Sequence, residues 1–394
     1  MMRIRMRMIP RQIESAMRED FGKGKALLVL GARQVGKTTL LRRLAEGGGR
    51  VVWLDCDNPD DRALLENPNT MRLAALAAET DLLLVDEAQR VRGIGLALKM
   101  LVDAVGRTTQ VVATGSSALE LAGGVHESAA GRVFEYRLHP LSHGELARGS
   151  EGGAREERRL LERRLVYGSY PEVAGASDAD ARRILSGIAD GALYKDLFSL
   201  GGVRKPERLV RLTQCLALQI GNEVSAGELS GMTGLDRATV ETYIDLLEKT
   251  FVVFRLPSLA RNVRNELRKA RKVYFWDNGV RNAVIGNFAP LPLRNDAGAL
   301  WENRMVSERR KLADWAGRGA KGYFWRTLTQ SEVDYVEEED GRLSAWEIKW
   351  GHGRKARLPE PFSAAYPGTP FGVVTPDSFE TFLGMDAGMG RTQE

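Results

Sequence analysis

Cysteine and histidine are scarce in this chain of 394 residues: two cysteines, Cys56 and Cys215, and four scattered histidines. That excludes a disulfide scaffold and a Cys/His zinc site as organising features, and it fits a reducing, cytoplasmic setting. Long hydrophobic runs are missing too. Runs such as LLLV at 82–85 are strand-sized, far short of the roughly 18–20 apolar residues of a membrane span, so no membrane partner is expected. The N-terminal MMRIRMRMIPRQ is basic but lacks the apolar stretch of a secretory signal. Charge of one sign is not dominant: 57 Lys and Arg against 52 Asp and Glu leave +5, which permits nucleic-acid contact without demanding it. There is no internal repeat and no low-complexity tract. What is present is a globular composition, 43% hydrophobic and 28% charged, which rules out a disordered or fibrous chain. At about 150 residues per domain the length predicts two or three domains.

The first section alternates strand-like and helix-like segments. KALLVLG (25–31), RVVWLDCD (50–57), DLLLVDEA (81–88) and QVVATGSS (110–117) are apolar runs ending in small or acidic residues. TTLLRRLAEG (38–47) and IGLALKMLVDAVG (94–106) read as helices. This predicts an α/β fold with a parallel sheet covered on both faces. Ligands are expected at the carboxyl ends of its strands. SEGGAREE (150–157) looks like a flexible break, a helical stretch follows, and strands return after about 265. The expected division is 1–150, 151–264 and 265–394.

Gly31-Ala32-Arg33-Gln34-Val35-Gly36-Lys37-Thr38, with Thr39 next, has the spacing G-x-x-x-x-G-K-[ST] between a strand and a helix. Glycines let backbone N–H groups turn in around phosphate oxygens, and the helix N-terminus adds positive dipole. Lys37 is expected to reach the β- and γ-phosphates of ATP, and the Thr38 hydroxyl to bind Mg²⁺. Leu82–Val85 leads into Asp86 and Glu87. Asp86 would hold Mg²⁺ through water, and Glu87 would orient the attacking water as a base. Thr114 and Ser116, at the end of the next strand, could reach the γ-phosphate; an ordinary Gly-Ser turn is the alternative. Arg132, and less so Arg137, could be lent to a neighbouring subunit's nucleotide in a homo-oligomer, or could be a surface salt-bridge residue.

GARQVGKTTLL, LLLVDEAQ, ATGSS and GRVFEYRLHPLSHGEL together resemble the prokaryotic AAA-type ATPases that carry a C-terminal domain of unknown function. YGSYPEV (167–173), YFWDNGVRNAVIG (274–286) and SEVDYV (331–336) resemble further blocks of that family, so the similarity covers nearly the whole chain. The resemblance implies an ATPase domain with Lys37, Thr38, Asp86 and Glu87 in their usual roles, then a winged-helix segment and a nuclease-like tail.

Between 222 and 256 a short helix, a Gly234 turn, RATVETYIDLLEKTF and an apolar strand read as a winged helix-turn-helix, with Asp236 as N-cap. Arg237, Thr239 and Thr242 would then lie near DNA, although Glu241 and Asp245 would repel phosphate; packing or oligomer contacts are the alternative use. Arg255, Arg261, Arg264, Arg268, Lys269, Arg271 and Lys272 form a basic run that could neutralise phosphates or be a solvated face. Asp334 lies on an alternating strand, and EEDGR (338–342) turns into Glu347 and Lys349, which share a strand face. Asp334, Glu347 and Lys349 resemble the D…E-x-K arrangement of the restriction-endonuclease-like fold, and Glu302 on a preceding helix resembles the extra helical acid of resolvase-like members. Two carboxylates and a metal could activate water against a phosphodiester; an inactive domain of the same fold is the alternative. Trp301, Trp325 and Trp346 are expected in the core.

Overall fold

A computed structural model describes residues 9–115, 129, 131–193, 203, 205–260, 271–317 and 319–385. The apolar runs of the first section become β1 (Ala26–Leu30), β2 (Val51–Asp55), β3 (Leu82–Asp86) and β4 (Gln110–Gly115). A fifth strand, β5 (Val133–Arg137), completes a parallel sheet in the order β2-β3-β4-β1-β5. β1, β3 and β4 are buried along their whole length, as expected of central strands covered on both faces. β5 was not evident as an apolar run because it is an edge strand with half-buried and exposed residues. The helices Lys37–Ala45 and Ile94–Val105 bury Leu40, Leu41 and Leu44, and Leu98, Leu101 and Val102, within the core around this sheet. Because β4 lies between β1 and β3, the Thr114 strand end stands between the phosphate loop and the Asp86 strand end.

The expected break at 150–157 is only a short turn. From Gly153 to Arg159 the chain is helical, and Glu157 is buried. It takes Arg164 Nε and Nη2 at 2.9 and 2.8 Å, both side chains about 3% exposed. The glycines and charges suggested a linker, but a partner seven residues on turns one of those charges inward.

Three helices, Pro206–Leu218, Ala226–Thr233 and Arg237–Lys249, accompany a small antiparallel sheet. Its strands are β6 (Glu223–Val224), β7 (Val253–Pro257) and β8 (Arg271–Phe275), in the order β6-β8-β7. Asp236 caps the third helix, accepting from Thr239 N at 2.9 Å, and Gly234 makes the turn before it at φ +67°. Residue 265 falls between β7 and β8, which pair from Val253–Phe275 to Pro257–Arg271. The chain on either side of that position therefore belongs to one sheet.

The last section is a four-stranded sheet whose strands neighbour one another in chain order. It comprises β9 (Lys321–Arg326), β10 (Glu332–Glu339), β11 (Arg342–Ile348) and β12 (Phe371–Val374). The β10–β11 hairpin turns on Asp340 and Gly341, at φ +50° and +76°, the Asp-Gly pairing that favours a tight two-residue turn. The long helix Ala297–Ala316 packs beside this sheet; its Trp301 is fully buried and donates Nε1–H to Val374 O at 3.2 Å. Trp325 is buried and Trp346 half-buried.

The YGSYPEV and YFWDNG blocks meet. Buried Asp277 accepts from Ser169 N at 2.7 Å and Val280 N at 3.1 Å. A Cβ on Gly168, which sits at φ +70°, would come 2.0 Å from Asp277 Oδ1, and one on Gly279 would come 2.2 Å from Tyr167 O. Both glycines make room for the other block: Gly168 for the Asp277 carboxylate and Gly279 for the Tyr167 carbonyl. Among the described residues no helix is long and apolar enough to cross a membrane.

Candidate functional site

The loop from Gly31 to Lys37 follows the C-terminal end of β1. A Cβ on Gly31 would lie 2.3 Å from Leu138 O, so this position must be glycine for the chain after β5 to pass. Gly36 N-caps the helix Lys37–Ala45 at φ +97°, and Gln34 is left-handed at φ +60°, backbone that turns amides inward. Ala32 and Val35 are buried, Arg33 half-buried and Gln34 exposed. Lys37 is buried, its Nζ donating to Gly31 O and Ala32 O at 3.0 and 2.9 Å. Thr38 is half-buried and Thr39 exposed on the first turn.

Across β4, Asp86 is buried at the end of β3. Thr114 is wholly buried and donates its hydroxyl to Asp86 Oδ1 at 2.5 Å. Glu87 N is held by Asp86 Oδ1 at 3.1 Å and Thr114 Oγ1 at 3.2 Å. Thr114 therefore braces the acidic pair with the hydroxyl that was expected to reach the γ-phosphate. Glu87 is half-buried with left-handed backbone, φ +53°, and its carboxylate accepts from Gln89 Nε2. A non-glycine at positive φ persists where surroundings over-determine it, as they do at functional sites.

Arg132 lies just before β5, at the end of the sheet opposite the phosphate loop. Its carbonyl accepts from Ala26 N at the start of β1, and its Nε meets Asp103 Oδ1 at 2.6 Å. It cannot serve its own chain's loop. Arg137, ranked lower from sequence, is exposed opposite Leu30, at the loop end of β5. Ser116 lies outside the described residues.

Sequence reasoning missed Arg11. It is buried, with Nη1 on Val35 O at 2.6 Å, Nη2 on His139 O at 2.5 Å and Nε on Glu145 Oε1 at 3.1 Å. Glu145 is held in turn by a capping box with Ser142. No motif spacing links residues 134 positions apart; only the fold brings them together.

The donor set suits a phosphate: inward amides, an ammonium and a hydroxyl. Thr38 and Asp86 are the hard oxygen donors that Mg²⁺ takes alongside phosphates and water. Among the described residues no group of three or more His, Cys, Asp and Glu could hold a metal unaided.

A second constellation places Glu302, Asp334, Glu347 and Lys349 near one another. The β10–β11 register pairs Tyr335 with Trp346, so Asp334 stands opposite Glu347. Asp334 Oδ2 accepts from Ile348 N at 2.8 Å. Lys349 Nζ lies 2.6 Å from Glu347 Oε1 and 3.6 Å from Asp334 Oδ2. Glu302, from the long helix, accepts from Tyr274 OH at 2.6 Å and Lys272 Nζ at 3.1 Å. Lys272 also meets Glu332 at 2.6 Å. Burial pushes the Glu302 carboxyl up to about 7, with Lys272 opposing and Asp334 assisting. Burial, then Asp334, raises Glu347, whereas the two acids outweigh burial and raise Lys349.

The described residues of the basic run are each engaged by acids. Arg255 pairs with Asp245, with Glu248 at 2.7 Å and with Glu241 at 3.6 Å; Arg271 pairs with Glu241 at 3.3 Å. Lys272 is buried in the cluster just described. Arg261, Arg264, Arg268 and Lys269 lie outside the described residues. On the third helix, Thr239 Oγ1 bonds Asp236 at 2.6 Å and Thr242 Oγ1 bonds Ala238 O at 2.9 Å, so both hydroxyls are engaged locally.

Residues 23–147 match the AAA domain family, 158–291 a domain of unknown function (DUF8612) and 297–381 another (DUF4143). An uncharacterised protein of Mycobacterium tuberculosis is 29% identical over 342 residues, covering 86% of this chain and 73% of that protein. One of Haemophilus influenzae is 30% identical over 210 residues, 52% of each chain. Among solved structures, a Walker-type ATPase of Pyrococcus abyssi aligns at TM-score 0.49 and 18% identity, covering 70% of this chain and 96% of that one. On the domain matches, the chain carries a segment similar to the AAA domain family at 23–147 and a C-terminal segment similar to DUF4143 at 297–381.

Proposed function

We propose that the chain binds Mg-ATP in the loop Gly31–Thr39, hydrolyses it, and uses the turnover to rearrange its C-terminal modules. The observation that carries this reading is the brace of Thr114 and Asp86 around the Glu87 amide, set one strand away from the phosphate loop. Loop amides and Lys37 would stabilise charge on the β- and γ-phosphate oxygens. Mg²⁺, held through Thr38 and Asp86, would neutralise phosphate charge. Glu87 would take the proton of the attacking water while ADP departs as leaving group. A homo-oligomer would allow Arg132 or Arg137 to serve a neighbour's nucleotide. Phosphate release by the purified chain should disappear in Lys37→Ala together with nucleotide binding, whereas Glu87→Gln should keep binding and lose turnover. Unchanged turnover in Glu87→Gln would remove Glu87 as the base.

A second reading is a nucleotide-gated, metal-dependent nuclease acting on DNA. It is favoured by the convergence of Glu302, Asp334, Glu347 and Lys349, with a carboxylate pair opposite one another across two strands. It predicts Mg²⁺- or Mn²⁺-dependent cleavage that Asp334→Ala and Lys349→Ala abolish. Intact single-stranded, duplex and branched DNA after incubation with either metal and ATP would leave a non-catalytic switch that binds DNA or a protein.

A further inference from the structure

His139 stands where the P-loop domain meets the C-terminal part of the chain. Its main chain belongs to the nucleotide side. The His139 carbonyl accepts from Arg11 Nη2 at 2.5 Å, and the same guanidinium holds Val35 O of the phosphate loop at 2.6 Å. Leu138 donates its N–H to Leu30 O at 2.7 Å, and its carbonyl is the group that crowds Gly31. The side chain belongs to the other side. The ring stacks on Trp276 with centroids 3.9 Å apart, and Nε2 meets Asp314 Oδ2 on the long helix at 2.8 Å. The next residue of that helix, Trp315, donates Nε1–H to Arg137 O at 3.1 Å.

The ring is buried, and burial disfavours its charged form. A carboxylate only accepts, so Nε2–H donates to Asp314, and Nδ1 has no partner. Asp314 is also faced by Arg310 at 3.7 Å. Removing the carboxylate leaves a buried N–H with no acceptor, a cost that a shift of the ring relieves. A shifted ring moves the His139 carbonyl, and the Arg11 fork spans that carbonyl and Val35 O. The same helix carries Glu302 twelve residues earlier, about 18 Å away at 1.5 Å per residue.

We infer that Asp314 and Trp315 are positioning residues for the nucleotide site: they hold segment 137–139, and through Arg11 the phosphate loop, in the geometry that binds the triphosphate. The C-terminal part thereby sets nucleotide affinity, and by linkage nucleotide binding pulls on the helix that carries Glu302. This inference rests on the ATP reading above.

The test uses the full chain, Mg-ATP turnover and calorimetric binding of a non-hydrolysable Mg-ATP analogue. Asp314→Ala should raise KM and Kd about fivefold or more, the lower bound of ordinary site-to-site coupling, with kcat within about twofold. Asp314→Asn keeps a carbonyl acceptor for Nε2–H and should return Kd to within about twofold of the wild type. Trp315→Phe, which keeps the packing and loses the donor to Arg137 O, should also weaken binding. Wild-type Kd in both Asp314→Ala and Trp315→Phe overturns the inference, as does a fall in kcat with KM unchanged. If the wild-type chain binds no Mg-ATP, the ATP reading itself fails; binding lost in Lys37→Ala but unaltered in Asp314→Ala overturns only the link.

Discussion

Lys272→Met should destabilise the C-terminal half of the chain by about 3 kcal/mol. The Lys272 side chain is 2% exposed and bonded to Glu302 at 3.1 Å and Glu332 at 2.6 Å. Removing one partner from a buried ion pair costs roughly 3–5 kcal/mol, because the remaining charge is left uncompensated. The lower end applies here, since Glu302 and Glu332 keep some solvent, at 14% and 27% exposure. A lysine on a solvated basic face would lose about 1 kcal/mol or less. The two readings of Lys272 therefore differ by a measurable amount. A chain with several domains need not unfold in one step, so the assay is the urea midpoint of the transition reported by tryptophan emission, taken at pH 5 and pH 8.

The pH dependence has a definite sign. Glu302 ordinarily titrates at 4.5 and is pushed up to about 7 in the fold. An acid with a raised folded pKa costs stability progressively as pH rises from its unfolded value to its folded one. Lys272 limits that cost; without it the Glu302 pKa climbs further and the deficit grows above pH 7. At pH 5 the Glu302 carboxyl is protonated with or without the lysine, so the deficit there should be smaller. Lys272 itself is raised above 10.5, so its stabilisation is present throughout this window. Adding Glu302→Gln should recover part of the loss. A loss under about 1 kcal/mol, equal at both pH values, would refute the buried-pair account.

Two further changes test the junction and the acidic brace. Gly168→Ala adds a Cβ 2.0 Å from Asp277 Oδ1 at a backbone φ of +70°; thermal melting should fall well below the wild type, and an unchanged melting temperature would deny that the two blocks need this contact. Thr114→Val removes the hydroxyl that braces Asp86 and Glu87; phosphate release should drop at least about tenfold, roughly 1.4 kcal/mol of barrier, while nucleotide binding in calorimetry stays close to the wild type.

Local rules made the first sheet and one later hairpin legible. Apolar runs at strand length, glycines before a lysine and acids after a strand are each set by neighbours a few residues apart, so β1 to β4, the phosphate loop and the Asp340-Gly341 hairpin could be read directly. The period of two along β10 and β11 was enough to bring Asp334, Glu347 and Lys349 together. Charge was misread where its partner was remote. Lys272 and Arg255 looked like an open basic surface until Glu302, Glu332, Asp245 and Glu248 were found against them.

Sequence alone determined which short segments could form strands, turns and a triphosphate cradle, because backbone sterics and side-chain alternation act over a few residues. Only the tertiary structure decided that Thr114 serves Asp86, that Arg11 spans Val35 and His139, and that Asp314 reaches His139 across 175 positions. Hydrogen bonds and ion pairs depend on distance in space, and no spacing along the chain encodes that.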